Sequence, residues 1–140
     1  MTIGAALAEY VAKAIKADLA SIESLEAEYI TPGGNFWVAT LDDRVVGMVG
    51  IEPKGDQRGE VRRLAVDAAY HRRGIARQLM AHAEAWATTH GFTILTLGTG
   101  EVRFQARRLY EGLGYKHTGT HTLFEEPRYD DFEYTKSLES

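Results

Sequence analysis

The chain has no cysteine. That single absence excludes a disulfide framework, a thiolate-held metal and a cysteine nucleophile. Nowhere does an apolar run approach the roughly 18 residues needed to span a bilayer. The opening MTIGAALAEYVAKAIKADLASIE carries charges at helical spacing and lacks the charge-then-apolar order of a secretory signal. A soluble, cytoplasmic protein with no membrane partner is the expectation. Net positive charge is missing too: the balance is −4, which argues against a nucleic-acid partner recruited by overall basicity. With no internal repeat, low-complexity segment or linker in 140 residues, one domain covering 1–140 is expected.

What is present is unevenly charged. Arg58, Arg62, Arg63, Arg72, Arg73, Arg77, Arg103, Arg107 and Arg108 crowd the middle of the chain. The last 20 residues carry Glu125, Glu126, Asp130, Asp131, Glu133 and Glu139 against Arg128 and Lys136. The middle suits an anion and the tail suits a cation, although solvated surface charge explains many of these residues equally well.

Periodicity divides the chain. Leu7, Val11, Ile15, Leu19, Ile22, Leu25 and Tyr29 fall three or four apart, so a helical segment is expected over about 4–30. Residues 36–41 and 44–51 read as a hairpin turned at Asp42-Asp43, with a loop at 53–56 and a third strand over 60–66. Ile75, Leu79, Met80, Ala83, Trp86 and Ala87 share one face of a helix over 74–90, stopped by Gly91. A short strand follows at 92–97. A second helix over 103–113 takes Phe104, Ala106, Leu109, Tyr110 and Leu113 as inner positions, and two final strands lie at 115–124 and 131–138. Helices and strands in this order give a mixed α/β domain, with helices covering one sheet.

The strongest local feature is Leu64-Ala65-Val66-Asp67-Ala68-Ala69-Tyr70-His71-Arg72-Arg73-Gly74-Ile75-Ala76-Arg77. A strand ends, a loop follows and a helix begins near Gly74. The first turn of a helix offers unpaired N–H groups and the positive end of the dipole. Gly74 and Ala76 let an anion approach the backbone, and Arg72, Arg73 and Arg77 add charge around it. This reads as a cradle for a diphosphate bound without metal, and the bland alternative is an arginine-rich helix start.

Tyr70-His71-Arg72-Arg73-Gly74-Ile75-Ala76-Arg77-Gln78-Leu79-Met80 resembles motif A of the GCN5-related N-acetyltransferases, Gln/Arg-x-x-Gly-x-Gly/Ala, with His71 at the Gln/Arg position. Downstream, Ala106-Arg107-Arg108-Leu109-Tyr110-Glu111-Gly112-Leu113-Gly114-Tyr115 resembles motif B. The resemblance covers about 35–138. Glu60–Val66 together with Thr96–Gly100 is most similar to the camello/N-acetyltransferase-8-like branch.

The resemblance implies an acyl-CoA N-acyltransferase fold, with one central, mostly antiparallel sheet and flanking helices. It divides the chain into an acetyl-CoA-binding core at about 35–115 and C-terminal strands at about 115–138. It also implies acetyl-CoA as co-substrate, an amine acceptor, no metal and, as in many relatives, a homodimer. Carried over by position, Arg72, Arg73, Gly74, Ile75, Ala76 and Arg77 would hold the pyrophosphate. Leu64, Ala65 and Val66 would bond the pantetheine arm, and one of their N–H groups would polarise the thioester carbonyl. Tyr110 matches the tyrosine that protonates the leaving thiolate, and Glu60 the glutamate that accepts the amine proton, in each case against a purely structural alternative.

One departure stands out: Arg103 occupies the motif B asparagine position, and Arg103 or Arg107 would reach a CoA phosphate instead. That departure keeps open a non-catalytic acyl-CoA-binding module of the same fold. With no cysteine, direct attack in a ternary complex is expected over an acyl-cysteine relay. The charge of the tail suggests a cationic small-molecule or peptide amine. Leu97-Gly98-Thr99-Gly100 lacks the third glycine of a dinucleotide fingerprint, because Arg103 stands there. His117 and His121 on a strand would be about 13 Å apart, too far for one metal. No Gly-x-Ser-x-Gly elbow is present.

Overall fold

Two pairs of consecutive residues in left-handed backbone set the first half of the sheet. Asp42 and Asp43 have φ of 51° and 62°, and Asp56 and Gln57 have 53° and 61°. Each pair makes a two-residue turn whose twist suits flanking antiparallel strands. In the computed structural model, which describes residues 26–138, these turns join β1 (Asn35–Leu41), β2 (Arg44–Gly55) and β3 (Arg58–Val66) into a meander. The segment 53–56, read from sequence as a loop, is instead the end of β2 and its turn. Its Pro53 pairs with Gly59 beside a register shift, where a missing N–H is tolerated.

β3 leads through a 3₁₀ turn (Ala68–Tyr70) to α1 (Ile75–Thr89), then β4 (Ile94–Gly100), α2 (Phe104–Gly112), β5 (Lys116–Glu125) and β6 (Arg128–Ser137). The six strands lie in the order β1-β2-β3-β4-β6-β5. β3 and β4 are the one neighbouring pair that runs parallel, because they are the one neighbouring pair of consecutive strands joined through a helix. The sheet is therefore mostly antiparallel, as expected. β4 extends to Gly100, so the Gly98-Thr99-Gly100 stretch is strand and not a nucleotide-binding turn.

The core lies between the sheet and α1. Ile75, Leu79, Met80, Ala83 and Ala87 are buried on one face of α1, against Val46, Val49, Ile51, Val61, Leu95 and Leu97. Trp37 and Trp86 pack edge-on at 5.4 Å, beside this core. Gly91, at φ 85°, ends α1 as expected. The second helix differs from its sequence pattern: only Tyr110 is buried, and Phe104 is 62% exposed. β5 is an edge strand, exposed almost throughout. The helical segment expected over 4–30 lies outside the described residues, apart from a π-helical turn at Glu26–Ile30.

Candidate active site

A fork in the sheet makes the site. β3 and β4 pair only at Arg58–Ile94, Gly59–Leu95 and Glu60–Thr96. From Val61 onward β3 keeps β2 but has no partner in β4, while β4 pairs with β6 alone. A bulge sits on the free stretch: Gly50 opposes Arg62 and Met48 opposes Ala65, so Arg63 and Leu64 together face Val49. Arg63 takes φ 60° there, a conformation that costs a non-glycine residue about 1–2 kcal/mol. Its side chain is anchored. The Arg63 Nε–H donates to the Tyr29 hydroxyl at 2.9 Å, and the guanidinium lies 3.7 Å from Glu28. Tyr29 is fully buried, in space that Gly50 leaves free. Bulges of this kind re-aim backbone groups beside active sites.

The loop after β3 forms one wall. Asp67 caps the 3₁₀ turn by accepting from the Ala69 N–H at 3.0 Å. His71 donates from Nε2 to the Val66 carbonyl at 2.8 Å, pinning the loop to the end of the strand. Arg72 and Gly74 have φ of 65° and 75°. The Gln78 N–H makes the bond back to the Gly74 carbonyl at 3.0 Å, so the N–H groups of Ile75, Ala76 and Arg77 precede the helical ladder. Arg72 and Arg77 have no carboxylate within ion-pair reach among the described residues.

α2 forms the other wall. The cleft between them has a volume of about 1090 Å³ and is lined by Leu64, Ala65, Val66, Arg72, Gly74, Ile75, Ala76, Arg77, Arg103 and Tyr110. Ten of the residues expected from sequence thus meet in one space. Tyr110 is 8% exposed, and no described residue hydrogen-bonds its hydroxyl. Burial pushes its ionisation upward, and the nearby Arg103 charge works against that shift.

Two of the expected residues do not line the cleft. Arg73 is not among the lining residues, and its guanidinium lies 5.2 Å over the Tyr70 ring. Glu60 stands at the apex of the fork, opposite Glu52 and 3.3 Å from Lys54. Residues 59 and 61 of β3 are buried with the α1 core, which sends Glu60 to the other face of the sheet. Near it is Asp131, which in the sequence is one acidic residue of the tail among several. A Cβ on Gly98 would lie 2.7 Å from its Oδ2, so that glycine makes room for the carboxylate. Burial raises the Asp131 carboxyl, His121 opposes the shift and Glu60 adds to it. Sequence reasoning missed Tyr70, Val102, Phe104 and Gln105 as cleft residues. Large apolar residues exposed at 62–63%, as Val102 and Phe104 are, are a structural signal with no counterpart in periodicity. Among the described residues no three metal-ligating side chains cluster, and no helix is long and apolar enough to cross a membrane.

A sheet forked beside its one parallel pair, with a left-handed loop leading a helix into the fork, defines the acyl-CoA N-acyltransferase architecture. The chain belongs to the acetyltransferase (GNAT) family, whose sequence profile matches residues 3–115. It is 37% identical over 111 residues to human (Homo sapiens) N-acetylaspartate synthetase, covering 79% of this chain and 36% of that protein. It is 36% identical over 115 residues to N-acetyltransferase family 8 member 2 of Rattus norvegicus, covering 79% and 50%. These relatives agree with the N-acetyltransferase-8-like placement read from sequence, and the chain spans about a third to a half of their length. Among solved structures, an aminoglycoside 6′-N-acetyltransferase complexed with coenzyme A superimposes with a TM-score of 0.81. The two are 20% identical, with 96% of this chain and 90% of the other covered, which establishes the shared fold.

Proposed function

We propose that the chain transfers an acetyl group from acetyl-CoA to a small amine by direct attack in a ternary complex. The observation that carries this reading is the cleft. A bulged strand edge, a left-handed loop whose Arg72 and Arg77 have no ion-pair partner among the described residues, and a tyrosine hydroxyl that no described residue hydrogen-bonds all face one space.

Acetyl-CoA supplies an activated acetyl thioester. The first-turn N–H groups of α1, with Arg72 and Arg77, hold the pyrophosphate. Arg73 shapes the loop through Tyr70. The free edge at Leu64–Val66 bonds the pantetheine amides, and one N–H there stabilises charge on the thioester oxygen. Glu60, working through water from the far face, takes one proton from the attacking nitrogen. A C–N bond forms, the C–S bond breaks with its electron pair on sulfur, and Tyr110 gives that sulfur a proton that solvent later replaces.

Glu60 and Asp131 on the far face favour a cationic acceptor. A second reading, an amino-acid acceptor such as aspartate, draws support from the 37% identity to N-acetylaspartate synthetase. Free-thiol release from acetyl-CoA with a panel of polyamines, lysine peptides, amino sugars and aspartate tests both. Amine-dependent thiol release is expected, fastest with a cationic amine. Fastest release with aspartate overturns the charge preference. CoA binding with no turnover on any amine leaves the non-catalytic module.

A further inference from the structure

Arg103 differs from Arg107, one helical turn further on. Arg107 donates to the Glu101 carbonyl at 2.7 Å and to the Tyr134 hydroxyl at 3.3 Å. No described carboxylate or carbonyl holds the Arg103 side chain, although it lines the cleft. Its backbone is fixed as the N-cap of α2, with its N–H bonded to the Gly100 carbonyl at 3.0 Å. The Arg103 Cγ lies 3.7 Å from where a Gly100 Cβ would stand, so the stem lies across the end of β4.

Tyr110 is seven residues further on, which returns to the same face of the helix two turns on. Helical side chains lean toward the N-terminus, so the Tyr110 ring leans back toward Arg103. The two groups share the cleft, and the guanidinium charge is felt at the tyrosine hydroxyl. The phosphate-binding elements, Arg72 and the first turn of α1, belong to the opposite wall. A cation and a tyrosine hydroxyl that share one cleft, neither with a hydrogen-bond partner among the described residues, are an arrangement suited to negative charge that appears only during reaction.

We propose that Arg103, acting with Tyr110, stabilises the negative charge that the sulfur acquires as the C–S bond breaks, and is not a ligand of the CoA phosphates. This inference rests on the acetyl-transfer reading above. A guanidinium close to a thiolate lowers the pH at which the thiol ionises.

The test is a titration of CoA bound to the protein, followed by thiolate absorbance, for the wild type, Arg103→Gln and Arg103→Lys. Desulfo-CoA serves as the sulfur-free probe. In the wild type the bound thiol should ionise at a lower pH than free CoA. Arg103→Gln should raise that midpoint by about one unit, and Arg103→Lys should restore part of it. At about pH 9, Arg103→Gln should weaken CoA roughly tenfold and leave desulfo-CoA unchanged. Equal weakening of both ligands with an unmoved thiol midpoint overturns the proposal and makes Arg103 a phosphate or pantetheine contact. A wild type that binds neither ligand brings down the acetyl-transfer reading itself.

Discussion

Tyr110 shows how one side chain can serve both core and site. Its ring packs 6.1 Å from Tyr115 and 6.3 Å from Tyr134, while its hydroxyl is left for the cleft. Tyr110→Phe keeps the packing and removes the proposed acid, so kcat should fall roughly 10²-fold with the acetyl-CoA KM little changed. Steady-state kinetics check this, and an unchanged kcat removes the acid role. Because burial raises the Tyr110 ionisation, the hydroxyl stays protonated through neutral pH. The kcat profile should therefore show no loss due to Tyr110 below about pH 10. A basic limb at lower pH that vanishes in Tyr110→Phe would contradict that sign. The sequence motif selects Tyr110, but its free hydroxyl and its Arg103 neighbour emerge only from the packing of α2.

At the scale of elements, the loop from β3 to α1 and the bulge in β3 are separable devices. Gly74 has φ 75°, and a methyl group added at its Cα would meet nothing within 4 Å, so Gly74→Ala tests backbone conformation alone. Left-handed backbone costs alanine about 1–2 kcal/mol. CoA affinity should drop about tenfold, as calorimetry would record. The bulge depends on a distant anchor, and Tyr29→Phe removes the acceptor of Arg63. About 1 kcal/mol of stability should be lost, with a fall in kcat/KM larger than the change in CoA affinity. An unaltered kcat/KM would show that the bulge holds without Tyr29. The loop was legible because its glycine and arginines are neighbours in sequence. The bulge was not, since the residues that hold it are 34 positions apart.

Across the whole molecule, one carboxylate ties α1 to the last strands. Glu84 accepts from the Tyr115 hydroxyl at 2.9 Å and from Lys136 at 2.6 Å. Glu84→Ala leaves both donors unpaired in part-buried surroundings and should cost about 2–3 kcal/mol in urea unfolding. Glu84→Gln should recover part of it. Tyr29, Tyr110, Tyr115 and Tyr134 all have ionisation pushed up, with burial the largest cause in each. Unfolded tyrosines ionise near pH 10 while these stay neutral, so the unfolded state gains as pH rises further. The contribution of the tyrosines is fully present below about pH 10 and is lost above it, which urea midpoints measured against pH would reveal. From β1 onward the helix and strand order was readable from periodicity. The Phe104 position was not, because a cleft wall leaves an apolar residue of α2 exposed where periodicity expects burial.

The sequence by itself determined the order of strands and helices from β1 onward, the glycine-led loop and the two motifs that give the family. Each of these depends on residues close together in the chain, through turn chemistry, helical spacing and first-turn N–H groups. Only the tertiary structure decided where β3 and β4 part, which arginines enter the cleft and which face Glu60 takes. The fork follows from the bulge in β3 and from β4 pairing with β6, both of which join residues far apart in the chain. Strand alternation then placed Glu60 opposite the cleft beside Asp131, and Arg73 stacks over the Tyr70 ring. Charge clustering in the sequence cannot distinguish those outcomes, because direction is fixed only when the strands pair.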